Sequence, residues 1–227
     1  MPGQQQEGVL GLAVDRMIRR SVRKAFHTVH WSPPVQPPEP PAIFVANHHG
    51  WHDGYLMYLA ATKLGIRVVD WIAEFDAFPL FAKVGGMRFP ADDPAARGAT
   101  IKRTIRLMQS EGTSLLLFAE GVLHRPPGLL PFGKALETVS KAVPNAKIVP
   151  VAIRYELAMH ERPEAWLRFG PEVPSGEGLA ARTRLAVADG LDALAGEIRF
   201  SSDRFQTLAE GTLDVNERWY ARRLNKS

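Results

Sequence analysis

Residues 42 to 53 read Ala-Ile-Phe-Val-Ala-Asn-His-His-Gly-Trp-His-Asp. The first part, 42–46, is a short apolar run of the kind that forms a fully buried strand. The second crowds Asn47, His48, His49, His52 and Asp53 around Gly50 and Trp51. A buried strand that ends in titratable side chains leaves three readings open: proton chemistry, a metal site, or the start of a helix capped by Asp53.

Further strands are expected at 67–72, 115–119, 147–154 and 166–169. Helical patterns occupy about 54–64, 77–84, 94–111, 132–142, 178–198 and 202–223. Short buried strands alternating with helices predict an α/β fold with a mixed, largely parallel sheet and helices on both faces. Pro150 inside the run 148–153 predicts an edge or bulged strand there. In such sheets reactive groups gather in the loops past the carboxyl ends of strands. The cluster at 47–53 lies there, and so does Phe118-Ala119-Glu120-Gly121 after the strand at 115–119.

Before the body comes a basic amphipathic N-terminal helix, expected over 8–31. Leu10, Val14, Met17, Ile18, Val22, Ala25, Phe26 and Val29 fall on one side. Arg16, Arg19, Arg20, Arg23, Lys24, His27 and His30 fall on the other. Two uses are open: a membrane-surface element, favoured by the uniform sign of its polar face, or a helix docked on its own domain. Residues 32–41 hold six prolines in ten positions and read as an extended linker. Pro34 and Pro37 also have the spacing of a proline-recognition ligand. The expected division is therefore 1–31 helix, 32–41 linker and 42–227 catalytic body.

The 227 residues suffice for a sizeable core, and 45% hydrophobic with 23% charged residues is ordinary globular composition. There is no cysteine, which removes disulfides, thiolate metal sites and a Cys nucleophile. The net charge of +4 points to an anionic partner. Basic patches interleaved with aromatics, the mark of a nucleic-acid binder, are not seen. Runs such as 115–119 fall far short of the roughly 20 apolar residues that span a bilayer. The apolar run 9–14 precedes the basic residues and is ended by Asp15, which is the wrong order for a signal peptide.

His48 and Asp53 are five apart, too many for one helix face. If Gly50 turns the chain back, Asp53 can accept from one nitrogen of His48 and leave the other as a general base. No Gly-x-Ser-x-Gly elbow occurs, so the hydroxyl to be activated would belong to the substrate. The rival is a His/Asp metal-dependent hydrolase built on His48, His49, His52 and Asp53, although Gly50 disfavours the helix that would align His48 with His52. His124 and His160 read as surface or loop residues, and His49 and His52 as lining.

Asn47-His48-His49-Gly50-Trp51-His52-Asp53 resembles the Asn-His-x-x-x-x-Asp signature of the glycerolipid acyltransferases related to 1-acylglycerol-3-phosphate acyltransferase. The Gly85–Asp93 segment, Phe118-Ala119-Glu120-Gly121, Pro131-Phe132-Gly133-Lys134 and Val149-Pro150-Val151 follow in the family's order, so the resemblance covers about 42–155. It implies acyl transfer from acyl-CoA or acyl-carrier protein to a lipid hydroxyl, with no further cofactor. His48 would be the base and Asp53 its orienter. Asn47, Trp51, Arg88, Phe118, Glu120, Gly121 and Arg125 would line the substrate site. A peripheral place on the cytoplasmic side of an anionic membrane would follow. The chain departs from the pattern at Asp92 and Leu123, where the family carries arginines, and at Ile72, where a lysine is common. Arg88 and Arg125 are the candidate replacements, and an acceptor with a neutral or differently placed head group is the expectation.

Overall fold

The computed structural model describes residues 8–224; residues 1–7 of the expected N-terminal segment and 225–227 of the expected body lie outside it. In chain order the elements are α1 Gly8–Ala25, β1 Thr28–Ser32, β2 Ala42–Ala46, α2 Asp53–Leu64, β3 Val68–Ile72, β4 Gly86–Arg88, α3 Pro94–Glu111, β5 Ser114–Phe118, α4 Ala135–Ala142, β6 Lys147–Glu156, β7 Glu164–Phe169, α5 Leu179–Phe200, β8 Gln206–Glu210 and α6 Val215–Leu224. They build an eight-stranded sheet of order β4-β3-β5-β2-β6-β7-β1-β8. It is parallel from β4 through to β6, turns antiparallel at β6–β7, is parallel again at β7–β1, and ends in antiparallel β8. The mixed, largely parallel sheet is the expected one.

Every residue of β2 is buried, because both its faces are covered. Phe44, with Ala42 and Ala46, packs on the side of α1 and α2, among Val22, Leu56, Met57 and Leu116. Ile43 and Val45 point the other way, into Leu115, Leu117, Met108 of α3, Leu136 of α4 and Leu179 of α5. The period-2 alternation of a strand thus feeds two separate cores. On β6 the helix α5 comes in close at Gly190, where a Cβ would lie 3.0 Å from that of Ala152.

Four expectations need correction. The helix expected over 8–31 stops at Ala25, and 28–32 form β1, a strand inside the same sheet as the body. The Pro-rich stretch 32–41 therefore joins two strands of one sheet. Helix 77–84 is instead a pair of short 3-10 segments, 75–77 and 79–84. The helix expected over 202–223 divides into β8 and α6. Pro150 lies in the central strand β6, not at an edge. Its carbonyl accepts from Gly170, one residue past the end of β7, so its missing N–H faces a place where the β7 ladder has already finished.

The apolar face of α1 docks on the body through Val14, Ile18 and Val22. Its one buried acid, Asp15, accepts from Tyr58 Oη at 3.1 Å and from Arg19 Nε at 2.9 Å. Among the described residues no helix is long and apolar enough to cross a membrane.

Candidate active site

β2 ends at Ala46, paired with Val151 of β6. The buried side chain of Asn47 then continues the pairing in place of backbone. Its Nδ2 donates to the Ile153 carbonyl at 2.9 Å, and its Oδ1 accepts the Ile153 N–H at 2.8 Å. This fixes where the chain leaves the sheet and so where His48 begins. The backbone N–H of His48 donates to Glu120 Oε1 at 2.8 Å, and its carbonyl accepts from the N–H of His124 at 3.1 Å.

Gly50 turns the loop back, which is the condition that pairing His48 with Asp53 requires. The Asp53 N–H donates to the Gly50 carbonyl at 3.1 Å, and the Gly50 N–H donates to Asp53 Oδ2 at 2.9 Å. The same carboxylate oxygen accepts from His48 Nδ1 at 3.0 Å. Asp53 is therefore not a helix cap. It is the first residue of α2, His52 holds the cap position, and the carboxylate faces back into the loop. Its side chain is fully buried, which makes three donors necessary. The third donor is Tyr155 Oη, to Oδ1.

Tyr155 escaped the sequence reading. It lies near the end of β6 and stacks on Phe26, 5.6 Å between ring centroids. Burial first, then the Asp53 charge, raises its phenol well above the usual value, so it stays a proton donor. A Cβ on Gly50 would fall 2.3 Å from the Tyr155 ring, so only glycine lets the loop pass there. Asp70 of β3 was missed as well. Burial raises its carboxyl to about 7 against the opposing influence of His48 and the Trp71 N–H, and its Oδ1 is sealed from solvent without a hydrogen-bond partner.

With Nδ1 donating to Asp53, His48 Nε2 carries the lone pair, and among the described residues it has no hydrogen-bond partner. The ring stacks on Phe118 at 4.5 Å and its side chain is 25% exposed. The arrangement is a carboxylate-oriented imidazole with one nitrogen open to an incoming proton.

The other expected residues divide. Glu120 serves as an internal brace: besides the His48 N–H it accepts the Leu130 N–H at 2.6 Å and binds His124 Nε2. Gly121 takes a positive φ of 76° in the turn that follows β5. Trp51 is exposed, edge-on against His52 and Tyr55. Arg88 is held by Asp76 at 2.8 Å and Asp93 at 3.6 Å, so its charge is already matched. Arg125 is exposed, with its carbonyl accepting from His124. Asp92 and Leu123 are exposed too.

The histidines of the metal reading face different partners. His48 is bound to Asp53, His52 Nε2 meets Ser21 Oγ at 3.3 Å, and His49 spans Asn47 and the Gly128 carbonyl. Burial lowers the His52 imidazole, with the Asp53 charge opposing, which favours the neutral ring. Beside the site, among the described residues, His49, Glu120 and His124 do converge, with ligand atoms within 4.8 Å of one another.

Comparison with known proteins bears on this geometry. No curated protein matches the sequence significantly. Among solved structures, the chain is similar to the 1-acyl-sn-glycerophosphate (LPA) acyltransferase PlsC from Thermotoga maritima, with a TM-score of 0.59 at 17% identity, over 82% of this chain and 80% of that one. That likeness shows the fold. The model of the acyltransferase family matches residues 27–154, more than half of the chain and the whole stretch from β1 to the strand that carries Tyr155's neighbour Arg154. The chain belongs to the acyltransferase family.

Proposed function

We propose that the chain transfers a fatty acyl group from acyl-CoA or acyl-carrier protein to a hydroxyl of a lipid acceptor. The observation that carries the reading is His48, bound through Nδ1 to the buried Asp53 and unpartnered at Nε2. Nε2 takes the proton of the acceptor hydroxyl as its oxygen attacks the thioester carbonyl. The new C–O bond forms, the C–S bond breaks, and the imidazolium returns the proton to the leaving thiolate. Asp53 holds the tautomer and stabilises the transient imidazolium. A direct transfer of this kind suits a chain without cysteine.

The acceptor head group is neutral, or carries its phosphate away from the position usual in the resembling family. Arg88 is occupied by Asp76 and Asp93, and Asp92 and Leu123 supply no cation. A phosphomonoester there would lack paired donors, a cost of several kcal/mol.

The enzyme works peripherally, on the cytoplasmic face of an anionic membrane. In support, the first turns of α1 leave Val9, Leu10 and Leu12 exposed beyond the docked part of the helix, beside a cationic face.

The test is lipid product formation by purified protein given labelled acyl-CoA or acyl-carrier protein and a panel of lysophospholipids, glycolipids and hydroxylated isoprenoids. His48→Ala should lower turnover about 10²–10⁴-fold while the fold persists. Unchanged turnover in folded His48→Ala protein refutes the base. Lysophosphatidate as best acceptor, with the preference lost in Arg88→Ala or in Arg125→Ala, refutes the acceptor assignment.

A further inference from the structure

Away from the active site, four side chains from three separate segments converge beside the start of α6. They are His27 between α1 and β1, His160 in the β6–β7 connection, and Asp214 and Glu217 at the α6 start. One ligand atom from each lies within 4.8 Å of all the others. His27 Nε2 is 2.9 Å from Glu217 Oε2, and His160 Nδ1 is 3.0 Å from Asp214 Oδ2. The two imidazoles stack face to face, 3.4 Å between centroids.

We propose that His27, His160, Asp214 and Glu217 form a binding site for a divalent transition metal of the Zn2+ type, which fastens α6 to the α1–β1 junction and the β6–β7 connection. Two imidazoles and two carboxylates are a donor set that suits zinc. Metal–ligand bonds of about 2.0–2.1 Å in a tetrahedron set the ligand atoms about 3.3 Å apart, so the gap to be closed is small.

The far side of three of the ligands is already arranged, while Glu217 Oε2 itself accepts the Asp214 N–H at 2.8 Å, a bond the metal would share. His27 Nδ1 lies 3.0 Å from Thr28 Oγ1, which can accept from Nδ1–H once Nε2 holds a metal. Asp214 Oδ1 accepts the Glu161 N–H at 3.0 Å, leaving Oδ2 as the ligand atom. His160 Nε2 faces Glu164 Oε1 at 3.6 Å. Charge points the same way. Among the described residues, the only ion-pair partners of Asp214 and Glu217 are these two histidines. With the imidazoles neutral the four groups carry two negative charges, which a divalent cation matches.

Each nitrogen lone pair lies in its ring plane, so coordination requires the stacked rings to splay by side-chain rotation. Binding displaces the protons that the histidines now share with the carboxylates.

The experiment uses the full chain, treated with EDTA and dialysed, titrated with ZnCl2 by calorimetry. Expected are a micromolar or tighter site at one zinc per chain, a rise in Tm of several degrees, and slower hydrogen exchange over residues 211–220. In His160→Gln and in Glu217→Gln the affinity should fall at least tenfold and the exchange protection should vanish. Ca2+ and Mg2+ should not substitute. The proposal is overturned if zinc does not bind. It is equally overturned if both variants bind zinc as the parent does, which would assign the ion to His49, Glu120 and His124. Protection that appears elsewhere but not over 211–220 overturns the fastening role.

Discussion

Asn47→Ala should cost far more than the loss of one small side chain. The amide binds both the N–H and the carbonyl of Ile153, at 2.8 and 2.9 Å, and Asn47 is fully buried. In the variant both backbone groups lose their partner in a place water does not reach. Each unsatisfied group costs about 1–3 kcal/mol, so destabilisation of about 2–6 kcal/mol is expected. Asn47→Asp separates the two bonds. Its carboxylate can still accept the Ile153 N–H, but its other oxygen then opposes the Ile153 carbonyl. It should therefore be no more stable than the alanine variant at neutral pH. Because Asn47 fixes the start of the His48 loop, kcat should fall with little change in KM in whatever fraction stays folded. Urea unfolding of parent and both variants, with a shared slope, gives the stabilities, and acyl transfer gives the kinetics. A cost below about 0.5 kcal/mol for Asn47→Ala, or an aspartate variant as stable as the parent, would refute the idea that this side chain replaces a rung of the sheet.

Gly50→Ala should lower turnover at least tenfold, because the new Cβ would meet the Tyr155 ring at 2.3 Å and drive the phenol from Asp53. Gly98→Ala, on α3 with nothing within 4 Å, is the matched control and should instead add about 0.5–1 kcal/mol. For Asp70 the folded carboxyl titrates at about 7 against 3.8 for the free group, so the folded state binds the extra proton. Its contribution is fully present below about pH 4 and is lost as pH rises through 7, with a ceiling of about 4 kcal/mol. Asp70→Asn should thus match the parent at pH 4 and exceed it in stability at pH 8, and a pH-independent difference between the two in urea unfolding contradicts the assignment. Replacing exposed Val9, Leu10 and Leu12 by serine should weaken partition to anionic vesicles at least tenfold, and equal partition in sedimentation assays would remove α1 as the attachment.

The sequence reading succeeded where burial and pattern coincide. β2 and residues 115–118 of β5 are unbroken apolar runs because both faces of the sheet are covered, and α3 has its ends marked by Asp93-Pro94 and by Gly112. The sheet's far side was poorly marked. Thr28–Ser32 continues the helical period of α1 without a break, and Gln206–Glu210 is a mostly exposed edge strand with little apolar content. Neither segment announces its partner, which lies far away in the chain. The site divides along the same line. His48, Gly50 and Asp53 are close in sequence, so their turn could be reasoned from spacing. Tyr155 reaches Asp53 across 102 positions. The only available signal was that a strand paired with β2 would carry residues past Ile153 toward the same loop. Glu120 was placed correctly at the strand end, but its bonds to His48, Leu130 and His124 depend on a loop path that carries no periodic signal.

The position of β1 has a consequence for synthesis. This strand, at 28–32, is made well before its two neighbours, β7 at 164–169 and β8 at 206–210. While the ribosome makes the next 130 or so residues, at about 5–20 per second, β1 has no sheet to join. The cationic α1 leaves the ribosome before the strands β2, β5 and β6 that form the middle of the sheet can assemble. For several seconds its whole apolar stripe, including Val14, Ile18 and Val22, is available to a lipid surface or a chaperone. Completing the sheet is therefore what draws Val14, Ile18 and Val22 inward, and it leaves Val9, Leu10 and Leu12 outside.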